Sequence, residues 1–258
     1  EFALKDLSSF GVGRVSSLFV YPMSFDEFLT ATGQEGLLRT KRNSSPTNPL
    51  PEAFYNRLVE AFRSYMLVGG MPEAVATYTE TGSYRYSSDI VNEIIQGYQD
   101  DFAKYGAKAN PLLLRQTLIS VAHQAGAKFV YSRVEGQYRS AEVKVALEML
   151  KDAGLIIPTY HTDANGVPLG AEINERVVKY LIHDTGVLLG ILGIDDDIDD
   201  SIKEMMVADS IDLVDKGHVA EMMAGLELIK YSSPQKRHQL YYWQNMNKGT
   251  CAEVDYVI

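Results

Sequence analysis

Ser140-Ala141-Glu142-Val143 opens a helical pattern that continues through Leu147 and Leu150 and stops at Gly154. Directly after that glycine come Leu155-Ile156-Ile157-Pro158-Thr159-Tyr160, a turn at Asn165-Gly166, and Val177-Val178-Lys179-Tyr180-Leu181-Ile182. Apolar residues three and four apart make one face of a helix, whereas β-branched and aromatic runs bounded by turn residues read as strands. Upstream, Pro111 starts a second helical pattern with Leu114, Leu118, Val121 and Ala122 on its apolar stripe. Three helices and a two-stranded return form the pattern predicted over 111–193, a winged helix-turn-helix.

Working outward, the flanks differ in character. Residues 1–39 read as the end of an α/β core: a β-rich run from Val15 to Tyr21, closed by Pro22, then a helix start with Ser24 as N-cap and Glu27 three positions on. Neither terminus carries a complete sheet, so the chain reads as an internal piece of a longer protein. Residues 40–51 are polar with three prolines and predict a flexible connection. A helical connector occupies 40–110, with Phe54, Leu58, Phe62 and Tyr65 or Met66 in one helix ending near Gly69-Gly70, and Ile90, Ile94 and Tyr98 in another. In 194–258, Val219, Met222, Met223, Leu226 and Ile229 form an amphipathic helix face, and Leu240-Tyr241-Tyr242-Trp243 and Ala252 to Ile258 read as strands about an Asn247-Lys248-Gly249 turn. The expected fold class is therefore mixed α/β and multidomain.

Composition narrows the function. The 258 residues carry a formal charge of −10, which argues against a uniformly basic nucleic-acid surface but leaves room for a local patch. One cysteine, Cys251, excludes an intramolecular disulfide and a cysteine-based zinc site, and fits a reducing, cytoplasmic setting. The start lacks a secretory leader, and no apolar run is long enough for a membrane span, so no membrane partner is expected. The acidic run 195–200 lacks the glycine and terminal glutamate of a calcium loop and reads as a solvated linker. No phosphate loop occurs, and Gly11-Val12-Gly13 lacks a third glycine.

Candidate site residues fall in three groups. Arg14 reads either as an arginine reaching a phosphate at a domain or subunit boundary or as a surface salt bridge. Lys128, Arg133, Arg139, Lys144 and Lys151 offer a modest DNA-binding patch, but the helix after Arg139 also carries Glu142, Glu148 and Asp152. Double-stranded DNA and a protein partner both stay open for that helix. Glu221 on a helix, with Glu253 and Asp255 on one face of the last strand by alternation, could bind a hard divalent cation for phosphodiester hydrolysis. The five histidines form no metal-ligand repeat and read as structural or surface residues.

Several segments together resemble one family. Gly13-Arg14-Val15 leading to Tyr21-Pro22-Met23-Ser24-Phe25-Asp26-Glu27-Phe28, Tyr65-Met66-Leu67-Val68-Gly69-Gly70-Met71-Pro72-Glu73, Gln99-Asp100-Asp101, His183-Asp184-Thr185-Gly186-Val187-Leu188, Gly217-His218-Val219-Ala220-Glu221, and Tyr242-Trp243 with Glu253-Val254-Asp255 are similar to the C-terminal part of prokaryotic AAA-type ATPases that carry a further domain of unknown function. The resemblance implies that residues 1–39 are the tail of a P-loop ATPase core whose ATP and Mg2+ sites lie upstream, so that no cofactor is expected on this stretch. It also implies a partial restriction-endonuclease-like region over 194–258, with Glu221 and Asp255 in the acidic positions and a lysine-bearing strand further on. Three functions follow as expectations: an ATP-driven switch coupled to DNA or a protein, a metal-dependent nuclease module, or a scaffold without catalysis.

Overall fold

The computed structural model describes residues 16–104, 110–193, 200–207, 216–245 and 252–258. Arg14 and the turn at 247–249 lie outside them, as does the acidic run except for Asp200. The described residues form a mixed α/β protein with ten α-helices and a four-stranded mixed sheet, divided into two compact units. None of these helices is long and apolar enough to cross a membrane.

One unit takes the described residues of Tyr21–Tyr98 and Asp184–Lys216 and is helical. Its first helix, α1 (Phe25–Ala31), starts at the expected capping box: the Ser24 hydroxyl accepts from the Glu27 amide at 3.3 Å, and the Glu27 carboxylate accepts from the Ser24 amide at 2.7 Å. After α2 (Glu35–Arg42) comes α3 (Glu52–Val68), then α4 (Pro72–Thr81) and α5 (Tyr84–Lys104); the sequence reading missed α2 and α4. The polar run at 40–51 is more ordered than its composition suggests. Residues 40–42 complete α2 because Lys41 and Arg42 both bond the buried Asp26 carboxylate, at 2.6 Å and 3.0 Å, and Ser45 pairs with Asn48 beyond it.

The same unit closes around Asp184. Gly69 ends α3 at φ +77°, a backbone that side chains rarely adopt, and a Cβ there would lie 2.2 Å from the Asp184 carboxylate. Asp184 caps α8 (Thr185–Ile191) through the Val187 amide at 3.2 Å and accepts from the Gly70 amide at 2.7 Å. One buried carboxylate thereby satisfies an amide just beyond the end of α3 and an amide in the first turn of α8. Helix α9 (Asp200–Val207) is tied to the unit through Asp200, which accepts from the Ser83 hydroxyl and the Arg85 amide, each at 2.7 Å.

The second unit takes residues 16–20 and the described residues of Gln99–His183 and Gly217–Ile258. Helix α6 (Pro111–His123) is capped by Asn110 and buries Leu114, Leu118, Val121 and Ala122, the expected stripe. Two α-helices rather than three precede the hairpin: a 3-10 turn (Tyr131–Arg133) leads directly to α7 (Ser140–Asp152), which buries Val143, Leu147 and Leu150. Strands β1 (Ile156–Thr162) and β2 (Ile173–Ile182) pair antiparallel from Ile156↔Ile182 to Tyr160↔Val178, then shift register. A bridge between Lys128 and Lys179 adds a further short rung.

Helix α10 (Lys216–Lys230) buries all five of its expected apolar residues. It precedes β3 (Leu240–Gln244) and β4 (Glu253–Val257). These two strands do not stand as a lone hairpin: β3 runs parallel to β1, giving the order β2-β1-β3-β4. A two-stranded ribbon is marginal in water, and joining β1 supplies the covered sheet that it lacks.

The run ending at Tyr21 is a correction. Residues 16–21 form no strand, Leu18 and Val20 are 64% and 85% exposed, and the Phe19 amide donates to the Pro234 carbonyl at 2.9 Å. Its β-forming residues have no ladder to complete among the described residues, so propensity alone does not make a strand.

Candidate functional site: a buried lysine among carboxylates

The basic residues expected to form a patch are exposed at Lys128, Arg133, Arg139 and Lys144, and half-buried at Lys151. Two of them are engaged within α7 itself. Arg139 pairs with Glu142 at 3.4 Å and Lys151 pairs with Glu148, each one turn along. Lys144 borders an open cleft between α7 and the β1–β2 hairpin, where Arg176 is the other cation and Asp163, Glu172 and Glu175 are the anions. The outward face of the helix therefore presents balanced charge, together with Val145 at 53% exposure.

The acidic residues come together elsewhere in the unit. Lys179 stands on β2, and its side chain is 6% exposed. Its ammonium donates to Glu221 Oε1 on α10 at 2.8 Å and lies 2.5 Å from Glu253 Oε1 on β4. On a third side it sits 5.1 Å from the centre of the Tyr242 ring on β3. Three elements beyond its own strand therefore enclose the cation.

Strand β4 reaches this cluster through an irregularity. Trp243 pairs with Val254 and Tyr241 with Val257, so Asp255 and Tyr256 together oppose Tyr242. Simple alternation places Glu253 and Asp255 on one face. The bulge lets Tyr256 join the α10 side as well, where its hydroxyl donates to the Glu221 carbonyl at 2.8 Å. Gly225 makes room for that ring, since a Cβ there would lie 2.4 Å from the Tyr256 hydroxyl.

The electrostatics follow from one cation serving several anions. Burial by itself would lower the Lys179 pKa, but its bonds to Glu221 and Glu253 outweigh that and hold the ammonium above its ordinary value. Burial raises the Glu221 pKa, and the charges of Asp255 and Glu253 add to the rise against the opposing pull of Lys179. The Tyr242 phenol is pushed up to about 12 by burial, with Glu253 and Glu221 adding to it. Surplus negative charge thus surrounds a saturated ammonium.

On the strands beneath, Thr159 pairs with Lys179 and His161 with Tyr242. The Thr159 hydroxyl, the Tyr242 hydroxyl and His161 Nδ1 are buried without a hydrogen-bond partner among the described residues, while His161 Nε2 contacts the Gln244 carbonyl at 3.2 Å. His183 contacts the Leu155 carbonyl through Nδ1 at 3.1 Å. Among the described residues, no three of the His, Cys, Asp and Glu side chains are grouped so as to hold a metal ion.

Sequence reasoning identified Glu221, Glu253 and Asp255 but missed Lys179 and Tyr242. The available signal was a lone lysine inside the apolar run from Val177 to Ile182, since a cation on a buried strand needs a buried anion. Which anion it meets depends on pairing between β1 and β3, strands that are far apart in sequence.

A family model described as a domain of unknown function, DUF8612, matches residues 59–198, more than half of the chain. The chain belongs to this family. No curated protein and no solved structure matches it. The DUF8612 match takes in α6, α7, the β1–β2 hairpin and Lys179, whereas Glu221, Glu253 and Asp255 lie beyond it. The carboxylate half of the cluster is therefore contributed by sequence outside the matched stretch.

Proposed function

We propose that this chain is the interaction-bearing portion of an ATP-hydrolysing protein, and that α6, the 3-10 turn, α7 and the β1–β2 hairpin form a winged helix that engages its partner. The observation that carries the reading is the order of these elements. A helix, a short bridged segment, a second helix packed on the first and an antiparallel hairpin support that reading. Within the same proposal, residues 1–39 are the tail of the ATPase core and 194–258 an endonuclease-like region.

The charge arrangement favours a protein partner over duplex DNA. A helix that reads a major groove presents free cations and amides to bases and phosphates. Here Arg139 and Lys151 are occupied by carboxylates of their own helix, and three anions line the cleft beside the hairpin. Nuclease chemistry is not part of the proposal, because Lys179 already bonds the glutamate on which a cation would depend.

ATP hydrolysis by the full-length protein, measured with and without duplex DNA at fixed salt, tests both parts. Hydrolysis indifferent to DNA is expected. Stimulation by DNA would move the winged helix to the DNA reading, with Lys128, Arg133 and Lys144 as its phosphate contacts, and weaker stimulation at higher salt would accompany it. Absence of hydrolysis would overturn the ATPase reading altogether.

A further inference from the structure

The resemblance to AAA-type ATPases with an endonuclease-like end implies a divalent cation at Glu221 and Asp255, and the geometry disagrees. We propose that the Lys179 ammonium permanently takes the cation's place, making the cluster a tethered-cation site that joins β2, α10 and β4 and excludes Mg2+ while Lys179 is present. Three observations carry this inference. The ammonium lies within bonding distance of both Glu221 and Glu253, so the two carboxylates that face each other already share a positive charge.

The third wall of the cage is the face of the Tyr242 ring, 5.1 Å from the nitrogen. An aromatic face attracts an ammonium through its quadrupole, but it supplies no oxygen to a small hard ion that demands a near-octahedral oxygen shell. The cage chemistry therefore selects a lysine. Finally, the lysine is anchored rather than passing: it is rooted on β2, which is hydrogen-bonded along β1, and its side chain is 6% exposed. Withdrawal of the ammonium would leave Glu221, itself 12% exposed, without compensation.

Mn2+ titration of the chain, read by the loss of the free-ion electron paramagnetic resonance signal, tests the assignment. The wild-type chain is expected to show no saturable site up to ~1 mM, within the range of weak oxygen-ligand sites. Lys179→Met, which keeps an unbranched side chain one atom shorter and removes its charge, is expected to gain one site, and adding Glu253→Gln is expected to abolish it. Saturable binding by the wild-type chain that Glu253→Gln removes overturns the proposal. So does a folded Lys179→Met variant that gains no site.

If Lys179→Met does not fold, the wild-type chain decides. Its Lys179 ammonium resonance, assigned through Lys179→Arg in lysine side-chain NMR, is expected to stay in place at ~1 mM Mg2+. Displacement of that resonance by Mg2+ overturns the proposal.

Discussion

At the scale of single residues, two buried charges stabilise one unit each by different means. Lys179 serves Glu221 and Glu253, so its removal leaves a largely buried carboxylate at Glu221 and a partly exposed one at Glu253 without a counter-charge. Lys179→Met is expected to lower unfolding stability by about 3–5 kcal/mol in denaturant titration, the usual cost of breaking a buried pair from one side. The loss should be smaller in the Lys179→Met, Glu221→Leu double variant, because the apolar replacement removes the stranded charge as well. Asp184 works through backbone amides, capping α8 and accepting from Gly70. Asp184→Ala removes a cap and leaves a buried amide unpaired, so about 2–3 kcal/mol should be lost, measurable by thermal and denaturant unfolding.

At the scale of elements, α10 shows packing overruling intrinsic preference. Alanine in place of a helical glycine ordinarily stabilises by about 1 kcal/mol. At Gly225 the added methyl would lie 2.4 Å from the Tyr256 hydroxyl, which bonds the Glu221 carbonyl of the same helix. Gly225→Ala is therefore expected to destabilise by about 1–3 kcal/mol, the cost of overpacking, opposite in sign to the propensity change. A variant more stable than the parent in denaturant unfolding would show that β4 yields easily and that the Tyr256 contact is weak. The elements themselves were largely legible in the sequence. The α1 capping box, the α6 and α7 stripes and the apolar face of α10 all rest on residues close together along the chain. Helices α2, α4, α8 and α9 were missed; α4 was missed although Pro72 occupies a favourable first position, because its apolar residues are few: Ala74 and Val75 are its buried side chains.

At the scale of the molecule, phenols whose pKa is raised by folding make stability fall at alkaline pH. Burial pushes Tyr98 and Tyr242 up to about 12, with the Asp184 charge adding to the first and Glu253 and Glu221 to the second. Between pH 10 and about 12 the folded chain therefore holds protons that the unfolded chain has released, so stability falls as pH rises through that window. Below pH 10 both states are protonated and these groups add no slope. Lys179 acts in the same direction: its pKa is raised by folding, so its contribution is complete below the ordinary lysine value and is lost above it. Denaturant unfolding at stepped pH should show the decline, and Tyr98→Phe should flatten it. An unchanged slope in that variant would remove Tyr98 from the explanation.

Periodicity, capping residues and turn signals in the sequence determined the longer helices and the four strands, because each depends on neighbours within a few positions. They could not determine that β3 runs beside β1, that residues 16–21 find no ladder, or that β4 bulges at Asp255 and Tyr256. Those features depend on pairing between distant segments. Lys179 shows the difference most directly. Its sequence neighbours made it a lysine in an apolar strand, and only the tertiary arrangement of α10, β3 and β4 supplied the two carboxylates and the ring that allow its charge to be buried.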